Sequence, residues 1–259
     1  MIPIRDDNPR LLTPYVTYFI IALNVGTWVL LQGIGFEPRL SSSICVFGAV
    51  PGELLQKVPA GSAFQLTSQT LCVTGPEAMW RTLVTYCFLH GGWVHLIGNM
   101  WFLWVFGNKV EDAMGSLRFS AFYLLCAGSA ALCQVVASPN SLAPIIGASG
   151  AAAGVLSAYI VLYPRVHVHM LIFLGVYIKT WAVPAFWMIG YWLILQLLAT
   201  LSSVTGGGNG VAFFAHVGGF ASGALLILLF RNPELLARHP YHGWHQQGTP
   251  SRSWQQVDR

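Results

Sequence analysis

Six apolar runs, each about as long as a bilayer core is thick, constrain this chain more than anything else in it. A helix needs about 20 such residues to cross the hydrocarbon, and the runs fall at roughly 14–33, 88–107, 118–137, 146–163, 182–202 and 211–230. Backbone N–H and C=O groups find no water in lipid, so each run is expected to be a helix bonded within itself. Composition agrees: 55% of the residues are hydrophobic and 8% charged, where soluble domains carry about a quarter charged residues. The expected fold is an all-α, polytopic membrane bundle of six transmembrane helices.

The first run is long for the core of a signal peptide, its leader carries Asp6 and Asp7, and no small-x-small cleavage pattern follows, so it reads as an uncleaved span. With the N-terminus inside, only Arg39, Lys57 and Arg81 of the 13 Lys and Arg fall on the outer side. That imbalance orients the bundle with both termini in the cytosol. It also accounts for the net charge of +4 without invoking nucleic acid. The chain divides into a cytosolic leader (1–13), a six-span domain (14–230) with a long outer loop (34–87), and a polar cytosolic tail (231–259).

The tail lacks helical periodicity and is expected to be without structure, its His239, His242 and His245 solvated rather than metal-binding. The stretch YPRVHVHMLIFLGVYIK (163–179) is too short to span and fits an interfacial or re-entrant segment on the inner side, with His167 and His169 at that interface. TGGGNG (205–210) is expected to be a mobile link on the outer face. Of the five cysteines, Cys87, Cys126 and Cys133 read as apolar filler. Cys45 and Cys72 share the outer loop, where a bridge is chemically permitted and two free thiols are the alternative.

Polar groups inside spans cost free energy in hydrocarbon and by default mark function. His95 and Asn99 lie one helical turn apart in HGGWVHLIGNM (90–100). Ser149 stands about one turn into the fourth run, in IIGASGAAAG, and His216 about a turn and a half into the sixth, in FFAHVGG. The second, fourth and sixth runs point the same way, so these four residues are expected at one level in the outer half of the membrane. Gly150 with Gly154, and Gly219 with Gly223, have the small-xxx-small spacing that lets helix backbones approach closely.

Close approach of the fourth and sixth helices would bring His216 to Ser149, a nucleophile and its base. No Asp or Glu occurs between Asp112 and Glu234, so a dyad rather than a triad is expected. His95, Asn99 and the backbone N–H of Ser149 supply donors for an oxyanion. Gly147 should leave backbone room for the substrate carbonyl. His90, at the outer boundary, reads as a structural hydrogen-bonding residue, and WFLWVF (101–106) as lipid-facing or packing surface.

The ordered set Trp80–Arg81, HGGWVHLIGNM, GNKVEDAMG (Gly107, Glu111, Gly115), GASG and AHVGGFASG resembles the rhomboid family of intramembrane serine proteases over about residues 80–230. The PIRDDNP leader resembles bacterial members. The resemblance implies Ser149 as nucleophile, His216 as general base, and His95 and Asn99 at the oxyanion site. It implies that Trp80 and Arg81 structure the outer loop, and that Glu111 ties down the inner turn. It also implies transmembrane protein substrates cut in or beside a helix, small residues at the cleaved bond, no metal or cofactor, and residence in a bacterial inner (plasma) membrane. The oligomeric state is not implied. Some bacterial rhomboids place a tyrosine one turn after the nucleophile, stacked on the histidine; here that position is Ala153.

Two other classes stand beside this reading. An inactive rhomboid-like protein that binds membrane clients typically lacks the nucleophile or the base, and both are present. A small transporter or channel would be expected to carry intramembrane charges or broken helices at mid-depth.

Overall fold

The computed structural model describes residues 2–174, 177–204 and 212–241. Each of the six apolar runs contains a helix. Strand β1 (Ile2–Asp6) precedes α1 (Tyr15–Gly26), which continues through a wider π turn over Thr27–Leu31. The loop 34–87 then folds as α2 (Arg39–Phe47), α3 (Pro51–Leu54), a hairpin of β2 (Ala63–Thr67) with β3 (Thr70–Val73), and α4 (Thr82–Thr85). Next come α5 (Trp93–Phe102) with a π turn at Leu103–Gly107, then α6 (Asn108–Met114), α7 (Ser116–Ala137) and α8 (Ser149–Leu162). Strands β4 (His167–Leu174) and β5 (Tyr177–Pro184), α9 (Ala185–Val204), α10 (Phe213–Phe230) and the short α11 (Pro233–Leu236) complete the described chain.

Helices α7 and α10 are long and apolar enough to cross a membrane by length and composition. Outward faces are apolar as well: Leu225 and Leu229 of α10 are 68% and 79% exposed, and Trp187 of α9 is 66% exposed. Contiguous apolar surface of this kind is costly in water and favourable in lipid. Inside, α8 is buried over almost its whole length, from Gly150 to Tyr159.

The centre is packed by small residues. A Cβ on Gly219 would stand 2.0 Å from the carbonyl oxygen of Gly150, and one on Gly223 2.3 Å from that of Gly154. Glycines on α10 therefore set its approach to α8. Gly150 and Gly154 have their nearest neighbours on α7 instead, at 2.6 Å from Ala130 Cβ and 2.6 Å from Cys126 Sγ. Close approach of α8 to α10 is thus secured chiefly from the α10 side, while the glycines of α8 make room for α7.

The all-helical expectation is corrected at two places. Segment 163–179 forms strands rather than helix: it enters an antiparallel sheet of order β1-β4-β5, with the leader as its third strand. The cause is the period-two alternation of Val166, His167, Val168 and His169, which buries Val166, Val168 and Met170 along one side. His169 Nε2 lies 2.7 Å from Asp7 Oδ1. The second sheet is the β2–β3 hairpin, and Cys45 of α2 is bridged to Cys72 of β3.

The tail is expected to be without structure from residue 231, but residues 231–241 fold against the bundle, and 242–259 lie outside the described residues. Asn232 donates to Ala113 O at 2.8 Å and caps α11 through Glu234 N–H, Leu236 is buried, and the His239 ring packs on Tyr163 at 5.3 Å. The link 205–210 and His242 and His245 lie outside the described residues.

Acidic groups join the leader to the bundle. Glu111 accepts the N–H groups of Val16 and Thr17 at 3.0 and 2.8 Å, the Thr17 hydroxyl, and the Ser116 hydroxyl. It thereby satisfies the first turn of α1, whose amides have no intrahelical partner, and fastens it to the turn before α7. Asp112 does the same for Leu11 and Leu12. The Asp6 side chain is 4% exposed, receives the Tyr159 hydroxyl at 2.5 Å and faces Lys109 at 3.8 Å. Burial outweighs Lys109 and the Tyr159 hydroxyl there, and raises its carboxyl to about 6.

Candidate active site

Three features place Ser149 at the start of α8. The loop 34–87 is bonded to the segment before it: Ala49 and Ile145 exchange backbone hydrogen bonds at 3.1 and 2.8 Å, and Gly52 N–H donates to Ser141 O at 2.9 Å. Gly147 donates to Tyr86 O at 3.0 Å and adopts φ +113, a conformation L side chains rarely take. A Cβ on Gly147 would also stand 2.6 Å from His95 Nε2. Glycine is therefore required both by the turn and by the histidine beside it.

Across the seam from α10, His216 Nε2 lies 2.8 Å from Ser149 Oγ. Its other ring nitrogen, Nδ1, lies 2.7 Å from Oε1 of Gln196 on α9. A carbonyl oxygen only accepts, so Nδ1 carries the proton and Nε2 presents its lone pair to the serine hydroxyl. Trp192, one turn before Gln196, has its ring 6.1 Å from that of His216, and the Phe213 ring is 6.3 Å away.

His95 and Asn99 of α5 line the same cavity, of roughly 210 Å³, with Ser149, Ala153, Gln196 and His216. His95 Nδ1 accepts from Gly91 N–H at 3.3 Å, so its Nε2 bears hydrogen; a Cβ on Gly147 would stand 2.6 Å from that nitrogen and 3.6 Å from Ser149 Oγ. Asn99 is 7% exposed, and its side-chain N–H group has no hydrogen-bond partner among the described residues. The first-turn amides of α8, at Ser149 and Gly150, have no carbonyl a turn earlier to bond. All four residues expected at one level are thus brought together. The arrangement offers a hydroxyl with a base in contact, and several donors left over for a developing negative charge.

His90 contributes differently. Its backbone N–H and C=O are both held at 2.9 Å by the side-chain amide of Gln32, and its ring packs edge-on against His95 at 5.1 Å. Trp80 and Arg81 are exposed, the Arg81 guanidinium reaching Met79 Sδ at 3.9 Å. The loop 34–87 is also braced by the Cys45–Cys72 bridge, Glu53 with Gly75 N–H at 2.6 Å, and Thr85 with Phe47 O at 2.9 Å. In 101–106, Leu103, Val105 and Phe106 are buried, whereas Trp101 and Trp104 are exposed.

Gln196 is the functional neighbour that sequence reasoning missed. Its signal was present: it is the only amide side chain in the apolar stretch 185–198, and intramembrane polar groups seek partners. What the sequence lacks is the rotation of α9 that aims it at His216. A second, apolar cavity of roughly 410 Å³ adjoins the first, sharing Phe102, Leu156 and Trp192 with it.

Comparison with known proteins places these elements in one family. The rhomboid domain matches residues 76–233, well over half of the chain. RHOMBOID-like protein 4 of Arabidopsis thaliana is 26% identical over 245 residues, covering 90% of this chain and 55% of that protein. RHOMBOID-like protein 1 of the same plant is 24% identical over 250 residues, with 93% and 58% covered. Rhomboid-like protease 5 of Toxoplasma gondii is 31% identical over 142 residues, covering 53% of this chain and 15% of that protein. The chain spans somewhat over half the length of the two plant relatives.

Proposed function

The chain belongs to the rhomboid family, and we propose that it is an intramembrane serine endopeptidase that cleaves transmembrane segments of other membrane proteins. The observation that carries this reading is the 2.8 Å contact between Ser149 Oγ and His216 Nε2. In this reading all six helical runs cross the bilayer, both termini are cytosolic, and Ser149 sits in the outer half of the membrane.

His216 takes the Ser149 proton on Nε2 as Oγ attacks the scissile carbonyl. The oxyanion forms beside His95 Nε2–H, the Asn99 amide and the Ser149 backbone N–H, donors already in place before the charge develops. Nε2–H then protonates the departing amine, which leaves an ester on Ser149. Water activated by the same nitrogen attacks the ester, the new carboxylic acid departs, and the hydroxyl is restored. A cavity of roughly 210 Å³ beside Ser149 has room for several waters at about 30 Å³ each. A segment with small side chains at the cut bond suits a site walled by His95, Asn99 and Trp192.

A fluorophosphonate probe is expected to label the wild type and to leave Ser149→Ala and His216→Ala unlabelled. Equal labelling of all three proteins would overturn the proposal.

A further inference from the structure

We infer that Gln196 is a positioning residue for the dyad: its side-chain carbonyl holds the Nδ1–H of His216 and so fixes Nε2 as the atom that receives the Ser149 proton. The inference rests on the serine-protease reading above. In triads that place belongs to a carboxylate, yet the chain has no Asp or Glu between Asp112 and Glu234, so α8, α9 and α10 offer none. Gln196 Oε1 occupies it at 2.7 Å.

The neutral imidazole has one N–H to place, and the wrong tautomer would turn a donor toward Ser149 Oγ. With Oε1 facing Nδ1 the amide favours the Nδ1–H tautomer, and it accepts from Nδ1 both before and after Nε2 gains its proton. The rings of Trp192 and Phe213, 6.1 and 6.3 Å from that of His216, crowd its rotation. Trp192 and Gln196 are one turn apart, so one face of α9 supplies both the acceptor and one wall. Ala153 leaves the family's alternative device, an aromatic ring one turn after the serine, out of this site. Being uncharged, the amide stabilises the imidazolium less than a carboxylate would, which leaves a mark on the pH dependence.

A simple tie between α9 and α10 would use the same hydrogen bond, so the test must separate the two. The full-length protein in liposomes is assayed on a single-span substrate as wild type, Gln196→Met and Gln196→Glu. Methionine keeps length and bulk but loses the acceptor; glutamate keeps the acceptor and adds charge. Gln196→Met is expected to lower kcat by roughly a hundredfold or more with KM within about twofold. Gln196→Glu is expected to stay within about tenfold of wild type, with the acid limb of its pH–rate profile moved to higher pH.

An unchanged kcat in Gln196→Met, or an acid limb in Gln196→Glu that coincides with wild type, overturns the inference. If Gln196→Met does not fold, the Gln196→Glu profile decides by itself. An active wild type matched by Gln196→Met overturns this inference alone. A wild type that neither cleaves nor takes up a fluorophosphonate overturns the serine-protease reading and this inference with it.

Discussion

His216 stands between two kinds of packing. On one side α7, α8 and α10 meet through glycine, alanine and cysteine, so closely that a single added Cβ on Gly219 would fall 2.0 Å from a backbone oxygen. On the other side α9 turns Trp187, Tyr191, Ile194 and Leu198 outward, and its fully buried side chains are Ala185 and Ile189 among the described residues. The seam sets the distance between Ser149 and His216; α9 sets the orientation of the ring. A reacting pair needs both, but only the seam resists displacement at every turn.

The largest effect should follow from breaking the seam. Gly219→Leu forces α10 away from α8, and overpacking of this kind costs about 3 kcal/mol. A shift of about 1 Å at the dyad is enough to lower activity roughly a hundredfold. Thermal unfolding together with initial rates would measure this, and near-native values for both would show that the seam is not the constraint.

An intermediate effect belongs to the leader, whose strand β1 pairs with β4, the central strand of the sheet that precedes α9. Asp6 has a folded-state carboxyl raised to about 6 from an ordinary value of 3.8. Between those values the folded protein holds a proton that the unfolded chain has already released, so stability from this group falls as pH rises from about 4 to about 6. Unfolding midpoints over that window should fall in the wild type and be flatter in Asp6→Asn; parallel curves would remove Asp6 from the account.

The smallest effect is expected at Trp187→Ala on the outward face of α9, where loss of an exposed side chain costs about 0.5 kcal/mol or less. A cost equal to that of Gly219→Leu would erase the distinction between the two regions.

The same contrast explains what could be read in advance. The helices, and the meeting of His95, Asn99, Ser149 and His216, follow from local signals: apolar length, polar residues at matching depth, and glycine spacing. Long-range pairing carries no such signal. The leader pairs with β4 across more than 150 residues; the Cys45–Cys72 bridge, by contrast, was legible as a permitted pair in one loop, with two free thiols as the alternative. The alternation at 166–169 was legible as a strand, but its apolar surroundings suggested membrane. Gln196 was visible as an isolated amide, and its role depends on the rotation of a helix that no periodicity specifies. The glycines of α8 could be recognised as contact residues, while the helix they admit, α7, required the packed structure.

Cleavage of a single-span membrane protein in liposomes tests the central claim most directly. The account predicts that the wild type yields two fragments with a new terminus in or beside the transmembrane segment, and that Ser149→Ala yields none. Fragments of the same mass and amount from Ser149→Ala would contradict it.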